Sequence, residues 1–156
     1  GSGPVGFIRT RQGIPVLEGT SAEGVAKGGY VLGGGKPAED ADVILIATGS
    51  ELQLAVEAQK TLADKNITAY VVSMPCIEWF ESQPKEYRDS VLPPRVSARV
   101  AVEAAVAQSW YRLVGDTGEI ISIEHYGESA DDKTLFREFG FTPEAVVAAA
   151  ERTIAN

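Results

Sequence analysis

The stretch Val43-Ile-Leu-Ile-Ala-Thr-Gly-Ser-Glu-Leu-Gln-Leu-Ala-Val-Glu-Ala-Gln-Lys-Thr-Leu62 constrains the chain more than any other. Its first five residues are continuously apolar and rich in β-branched side chains, as a parallel strand covered on both faces requires. After a Thr48-Gly49-Ser50 turn the apolar period changes from 2 to 3.6, with Leu52, Ala55, Val56, Leu62 and Ala63 on one helical face. Thr48-x-x-Glu51 and Ser50-x-x-Gln53 are overlapping capping-box patterns. The helix therefore opens at the carboxyl end of a buried strand, where α/β proteins hold ligands.

A sheet with both faces covered needs further strand and helix pairs, and the sequence supplies them in alternation. Gly28-Gly-Tyr-Val-Leu32 reads as a short strand, Thr68 to Met74 as another, Val96 to Glu103 as a third and Glu119 to Ile123 as the last. Between them fall a helix ending near Asn66, a plausible left-handed cap, one from Ser82-Gln-Pro-Lys through Leu92, and one over Ala104 to Val114 carrying Val106, Trp110 and Tyr111. Ser129 with Asp132 repeats the capping pattern before Leu135, Phe136 and Phe139. Thr142-Pro143-Glu144 starts a terminal helix whose Val146, Val147, Ala150 and Ile154 should face inward. Repeated alternation predicts a mostly parallel sheet with helices on both faces, an α/β, three-layer α/β/α domain. Residues 14 to 27, rich in Gly and Ser and without a sustained period, read as a linker or wrapping loop.

Several classes of function are excluded. No uninterrupted apolar run approaches the ~20 residues of a membrane-spanning helix. Fourteen basic against 22 acidic side chains give a net charge of −8, which disfavours a nucleic-acid surface. One cysteine, Cys76, excludes an intrachain disulfide framework, and one histidine, His125, leaves no Cys/His metal cluster. Cys76 is most simply a small buried hydrophobe. Gly1-Ser2-Gly3 looks like a cloning scar, no signal peptide precedes the first strand, and a cytoplasmic protein is the default expectation.

Candidate chemistry is sparse. Arg9 and Arg11 share one face of an extended segment, which invites an anion, although on spacing alone a solvated arm is the better explanation. Gly127-Glu-Ser129-Ala-Asp131 approaches the nucleophile elbow of hydrolases, but the single histidine precedes Ser129 by four residues and Asp131 stands where a small glycine is needed. Ser129 reads better as a helix cap. Gly115-Asp116-Thr117-Gly118 resembles the start of a thiamine diphosphate motif without its metal-binding asparagine. Gly35-Lys36 lacks the remainder of a Walker loop. Glu103 ends one strand and Thr48, Gly49 and Ser50 follow another. If those strands are neighbours whose helices depart to opposite faces, the four residues line one crevice that could hold a small anion or effector.

Five strings carry a family resemblance: Ala47-Thr-Gly-Ser-Glu51, Val71-Val-Ser-Met-Pro75, Val91-Leu-Pro-Pro-Arg-Val-Ser-Ala-Arg-Val-Ala-Val-Glu-Ala104, Tyr126-Gly-Glu-Ser-Ala130 and Leu135-Phe-Arg-Glu-Phe-Gly-Phe-Thr142. In this order they closely resemble the C-terminal domain of bacterial transketolase. The resemblance implies a five-stranded mixed sheet of order 1-3-2-4-5 with strand 1 antiparallel. It implies residues 4–27 as an extended arm from a preceding, pyrimidine-binding domain, and 28–156 as the C-terminal domain. It further implies a homodimeric parent transferase of the pentose phosphate pathway that uses thiamine diphosphate and Mg2+, or another divalent metal, to move a two-carbon ketol unit between phosphorylated sugars. No catalytic, cofactor or metal residue of that parent falls in this chain, so the domain alone would be structural or regulatory. One functional residue carries over: Thr10-Arg11-Gln12-Gly13 is similar to the family's Ser-Arg-Gln-Asn stretch, whose arginine binds the sugar phosphate. The competing reading is a small-ligand or effector-binding module built on the Thr48-Gly49-Ser50 turn.

Overall fold

The computed structural model describes residues 4, 6–8, 10, 13–33, 41–124 and 131–156. At its centre is Val43–Ala47 (β2), every residue of which is fully buried. Ala69–Ser73 (β3) runs parallel to it on one side, with Val43 opposite Ala69 and Ala47 opposite Ser73. Arg99–Val102 (β4) runs parallel on the other side, with Ile44 opposite Arg99 and Ala47 opposite Val102. Glu119–Ile121 (β5) extends the sheet beyond β4 in parallel, and the two-residue Tyr30–Val31 (β1) closes the far edge antiparallel to β3. The order β1-β3-β2-β4-β5, with strand 1 reversed, is the one expected.

Because side chains alternate along a strand, the uniformly apolar β2 feeds two cores. Val43, Leu45 and Ala47 point into one, with Val71, Val100 and Val102, beneath Leu52–Asp64 (α2) and Pro143–Ala155 (α7). Ile44 and Ile46 point into the other, with Val72 and Ala101, beneath Ile77–Glu81 (α3), Lys85–Val91 (α4) and Tyr111–Val114 (α5). Two helices remain: Ala22–Ala26 (α1) leads into β1, and Asp132–Glu138 (α6) precedes α7.

Local signals account for several element ends. Asn66 is left-handed at φ 61° and lets the Ile67 N–H reach back to the Leu62 carbonyl at 3.0 Å, closing α2 as expected. The Ala145 N–H donates to the Thr142 hydroxyl at 3.2 Å, with Pro143 in the first turn of α7.

Elsewhere the structure corrects the sequence reading. Residues 14–27 are not featureless: Ser21 accepts from the Gly24 N–H and starts α1. The helix expected over Ala104 to Val114 is cut short, because Val106 is extended and only a 3-10 turn over Ala107–Ser109 precedes α5. Trp110 is buried there, while Val106 and Tyr111 are exposed. Ser82 does not open α4. Its hydroxyl donates to the Trp79 carbonyl at 2.7 Å and finishes α3, so that Pro84 sits at the start of α4. Asp131, accepting from the Thr134 N–H, caps α6, and Ser129 lies outside the described residues. In α7 the buried stripe is Val146, Ala149, Ala150 and Thr153, the i, i+3, i+4, i+7 set, which turns Ile154 towards solvent. Cys76 is half-exposed at the head of α3, its thiol 3.6 Å from a Glu78 carboxyl oxygen.

Candidate functional site at the carboxyl edge of the sheet

The path of the chain after β2 and after β4 creates the site. Ala47 and Val102 are partners, so Thr48 and Glu103 continue side by side beyond the sheet. The chain then departs from β2 into α2 on one face and from β4 towards α5 on the other. That divergence is the switch point anticipated from the sequence, with Thr48 and Glu103 following paired strand ends and Gly49 and Ser50 in the turn after Thr48.

The turn is built differently from a capping box. Gly49 is left-handed at φ 55°, and Gly49–Glu51 form a 3-10 turn closed by the Glu51 N–H on the Thr48 carbonyl at 3.2 Å. The Thr48 side chain makes no capping bond. Gly49 swings Ser50 inward, where its hydroxyl donates to Glu51 Oε1 at 3.1 Å, and the Gln53 amide donates to the Ser50 carbonyl at 3.0 Å. Ser50 and Glu51 are 7% and 5% exposed, so this carboxyl lies inside the fold rather than on its rim.

Glu103 is half-buried just beyond the end of β4. Burial, then the nearby Glu51 carboxyl, pushes its pKa up to about 7. Burial raises Glu51 as well, opposed by its own N–H and by the Ser50 hydroxyl. Beside β5, Glu124 is held low by the Ser122 hydroxyl and by the Ala107 N–H at 2.8 Å. Glu51 is the member of this group that the sequence reading treated only as part of a cap. The available signal was an acid placed directly after one strand end, beside a second strand that ends in an acid.

The arm crosses the same edge. Ile14, Pro15, Leu17 and Thr20 face Gly49, Ser50 and Leu52 across a hollow of about 150 Å³. Gly13 borders a larger open hollow of about 480 Å³ between Leu54, Phe136, Phe141 and the start of α7. Arg11 and Gln12, immediately before it, lie outside the described residues, as do Arg9, His125 and the 127–130 part of the elbow-like string.

A family model described as the Transketolase-like TK C-terminal domain matches residues 28–142. The chain belongs to that family. It is 76% identical to the transketolase of Mycobacterium tuberculosis (strain H37Rv) over 159 aligned residues, covering 100% of this chain and 23% of that protein. It is 46% identical to transketolase 2 of Escherichia coli K12, covering 98% of this chain and 23% of the relative. Among solved structures, transketolase from Leishmania mexicana superposes with a TM-score of 0.84 at 36% identity, over 93% of this chain and 20% of that one. A Pichia stipitis transketolase in complex with sedoheptulose 7-phosphate gives 0.81 at 38%, over the same shares. The chain thus spans about a quarter of the length of these curated relatives.

The described part of this transketolase C-terminal domain does not fit thiamine diphosphate or its metal. The one string resembling a diphosphate loop, Gly115 to Gly118, lies at the amino edge of the sheet, opposite the switch point. A Cβ on Gly118 would meet the Val114 carbonyl oxygen at 2.6 Å and the Arg99 carbonyl oxygen at 2.8 Å, so that glycine serves a tight turn rather than a phosphate cradle. Among the described residues no three His, Cys, Asp or Glu side chains come together as a metal site. No described helix is long and apolar enough to cross a membrane.

Proposed function

We propose that this domain is the C-terminal part of a cytoplasmic, homodimeric transketolase. The parent transfers a two-carbon ketol unit between phosphorylated sugars in the pentose phosphate pathway, with thiamine diphosphate and a divalent metal held by other domains of the polypeptide. Identity of 76% along the whole chain carries this reading. The sugar phosphate named for the Pichia stipitis relative supports the substrate class. Residues 4–27 then form the arm from the preceding domain, and the rest forms the domain it leads to.

Within that reading Arg11 holds the substrate's phosphate. A guanidinium presents a planar fork of donors to phosphate oxygens, and such charge-assisted pairs contribute ~1.5–3 kcal/mol. In the full-length protein, Arg11→Ala should raise KM for phosphorylated sugars about tenfold or more, with a smaller change in turnover at saturation. Hydroxypyruvate, which has no phosphate, should be almost unaffected. Equal losses on both kinds of substrate would make Arg11 structural, and absence of ketol transfer by the full-length protein would overturn the functional reading itself.

A further inference from the structure

We propose that Glu51 and Glu103 form one proton-sharing pair at the switch point, and that ionisation of both carboxyls weakens the seam between β2 and β4. Register places them together, since Thr48 and Glu103 follow the last β2–β4 partners and Glu51 closes the turn after Thr48. Glu51 is buried, and among the described residues its carboxyl is held by the Ser50 hydroxyl and by its own N–H. None of the ion pairs among the described residues involves Glu51 or Glu103; the basic side chains pair instead with Glu23, Glu81, Asp89, Glu119, Glu138 and Glu151.

The groups around the pair are consistent with this. From the β5 side comes Glu124, another acid, already satisfied by Ser122 and the Ala107 N–H. From α2 comes the Gln53 amide, which is spent on the Ser50 carbonyl. Two neighbouring carboxyls, one buried and one half-buried, with no cation paired to either among the described residues, cannot both ionise cheaply, so they titrate as a unit.

The sign of the effect is fixed by the raised Glu103. Its folded-state pKa of about 7 lies above the 4.5 of an unperturbed glutamate, so between those values the folded chain holds more protons than the unfolded one. Stability from this source is complete below about pH 4.5 and is lost as pH rises to about 7. Glu23 and Glu124, whose pKa values are lowered, act below that window and with the opposite sign. Glu103→Gln isolates the contribution of this carboxyl.

Urea unfolding of the 156-residue chain between pH 5 and 8 tests the proposal. The wild-type midpoint should fall by at least ~0.5 M urea across the range. Glu103→Gln should flatten the profile and lie above wild type at pH 8, and Glu51→Gln should do the same. The double variant should gain little beyond either single change, because one substitution already removes the repulsion. A Glu103→Gln profile as steep as wild type, or fully additive single effects, would overturn it. Should a variant fail to fold, carbon-detected NMR of wild-type glutamate carboxyls decides: a step near pH 7 sensed by both residues is expected, and two independent titrations below pH 5 would refute the pairing.

Discussion

Arg99 offers a sharp test of how the second core is held. It is the first residue of β4, half-buried, and its guanidinium donates to four main-chain carbonyls: Val96 at 2.9 Å, Leu113 at 2.7 Å, Pro93 at 2.9 Å and Leu92 at 3.2 Å. Those carbonyls belong to the end of α4, the loop after it and the last turn of α5, so one side chain ties three segments to the sheet. Burial lowers its pKa, but an arginine remains charged at any ordinary pH. Replacing it with methionine keeps much of the stem's packing and strands carbonyls of four buried residues. A hydrogen bond to a charged donor contributes ~1.5–3 kcal/mol, and water will recover part of the four, leaving a loss of about 3–5 kcal/mol. With a urea slope of about 2 kcal/mol/M, Arg99→Met should lower the unfolding midpoint by roughly 1.5–2.5 M. Arg99→Lys can satisfy one or two of the carbonyls and should recover about half. A shift below ~0.5 M for Arg99→Met would mean that solvent serves these carbonyls and that the proposed tie carries little.

Other expectations follow from single positions. Asn66→Gly should be neutral or stabilising, whereas Asn66→Ala should cost about 1–2 kcal/mol in chemical denaturation, because alanine resists φ 61°. Gly28→Ala should lower stability by about 2–5 kcal/mol, since φ is 84° and the added methyl would collide with the Cys76 carbonyl and the Phe80 amide. Sulfate, titrated while amide shifts are followed, should bind the Thr48-Gly49-Ser50 turn no tighter than millimolar and more readily in Glu51→Gln, because a helix start offers only ~0.3–1 kcal/mol to an anion. Shifts confined to other loops would dismiss that site.

The sequence makes β2 and its switch point legible because burial on both faces leaves a continuous apolar run, and because the change of period at Gly49 marks the end of the strand. The family resemblance supplied the order of the sheet and the reversal of strand 1, which a two-residue β1 could not announce by itself. What stayed hidden depends on contacts between segments distant in the chain. Val106 looks like a helix residue until Glu124, from beyond β5, takes the Ala107 N–H and resets the start of that helix. The capping boxes at Thr48 and Ser50 were sound by local rules, yet around a left-handed Gly49 the Thr48 side chain makes no capping bond and the Ser50 hydroxyl turns to the Glu51 carboxyl. The closeness of Glu51 and Glu103 exists only once β2 and β4 are placed side by side. Ile154 failed for a local reason, since small Ala149 and hydroxyl-bearing Thr153 can occupy the buried stripe as well as larger apolar residues can.

The uninterrupted Val43-Ile-Leu-Ile-Ala47 run has a second consequence. Short, uncharged, β-branched segments are the kind that stack into cross-β fibrils when they meet one another extended. In the folded domain this one is walled in by β3 and β4, and the sheet's outermost strands are only two and three residues long, which leaves little unpaired backbone to recruit another molecule. Protection against fibril formation therefore resides in strand order, and any condition that frees β2 before β3 and β4 have flanked it exposes the segment best suited to seed aggregation.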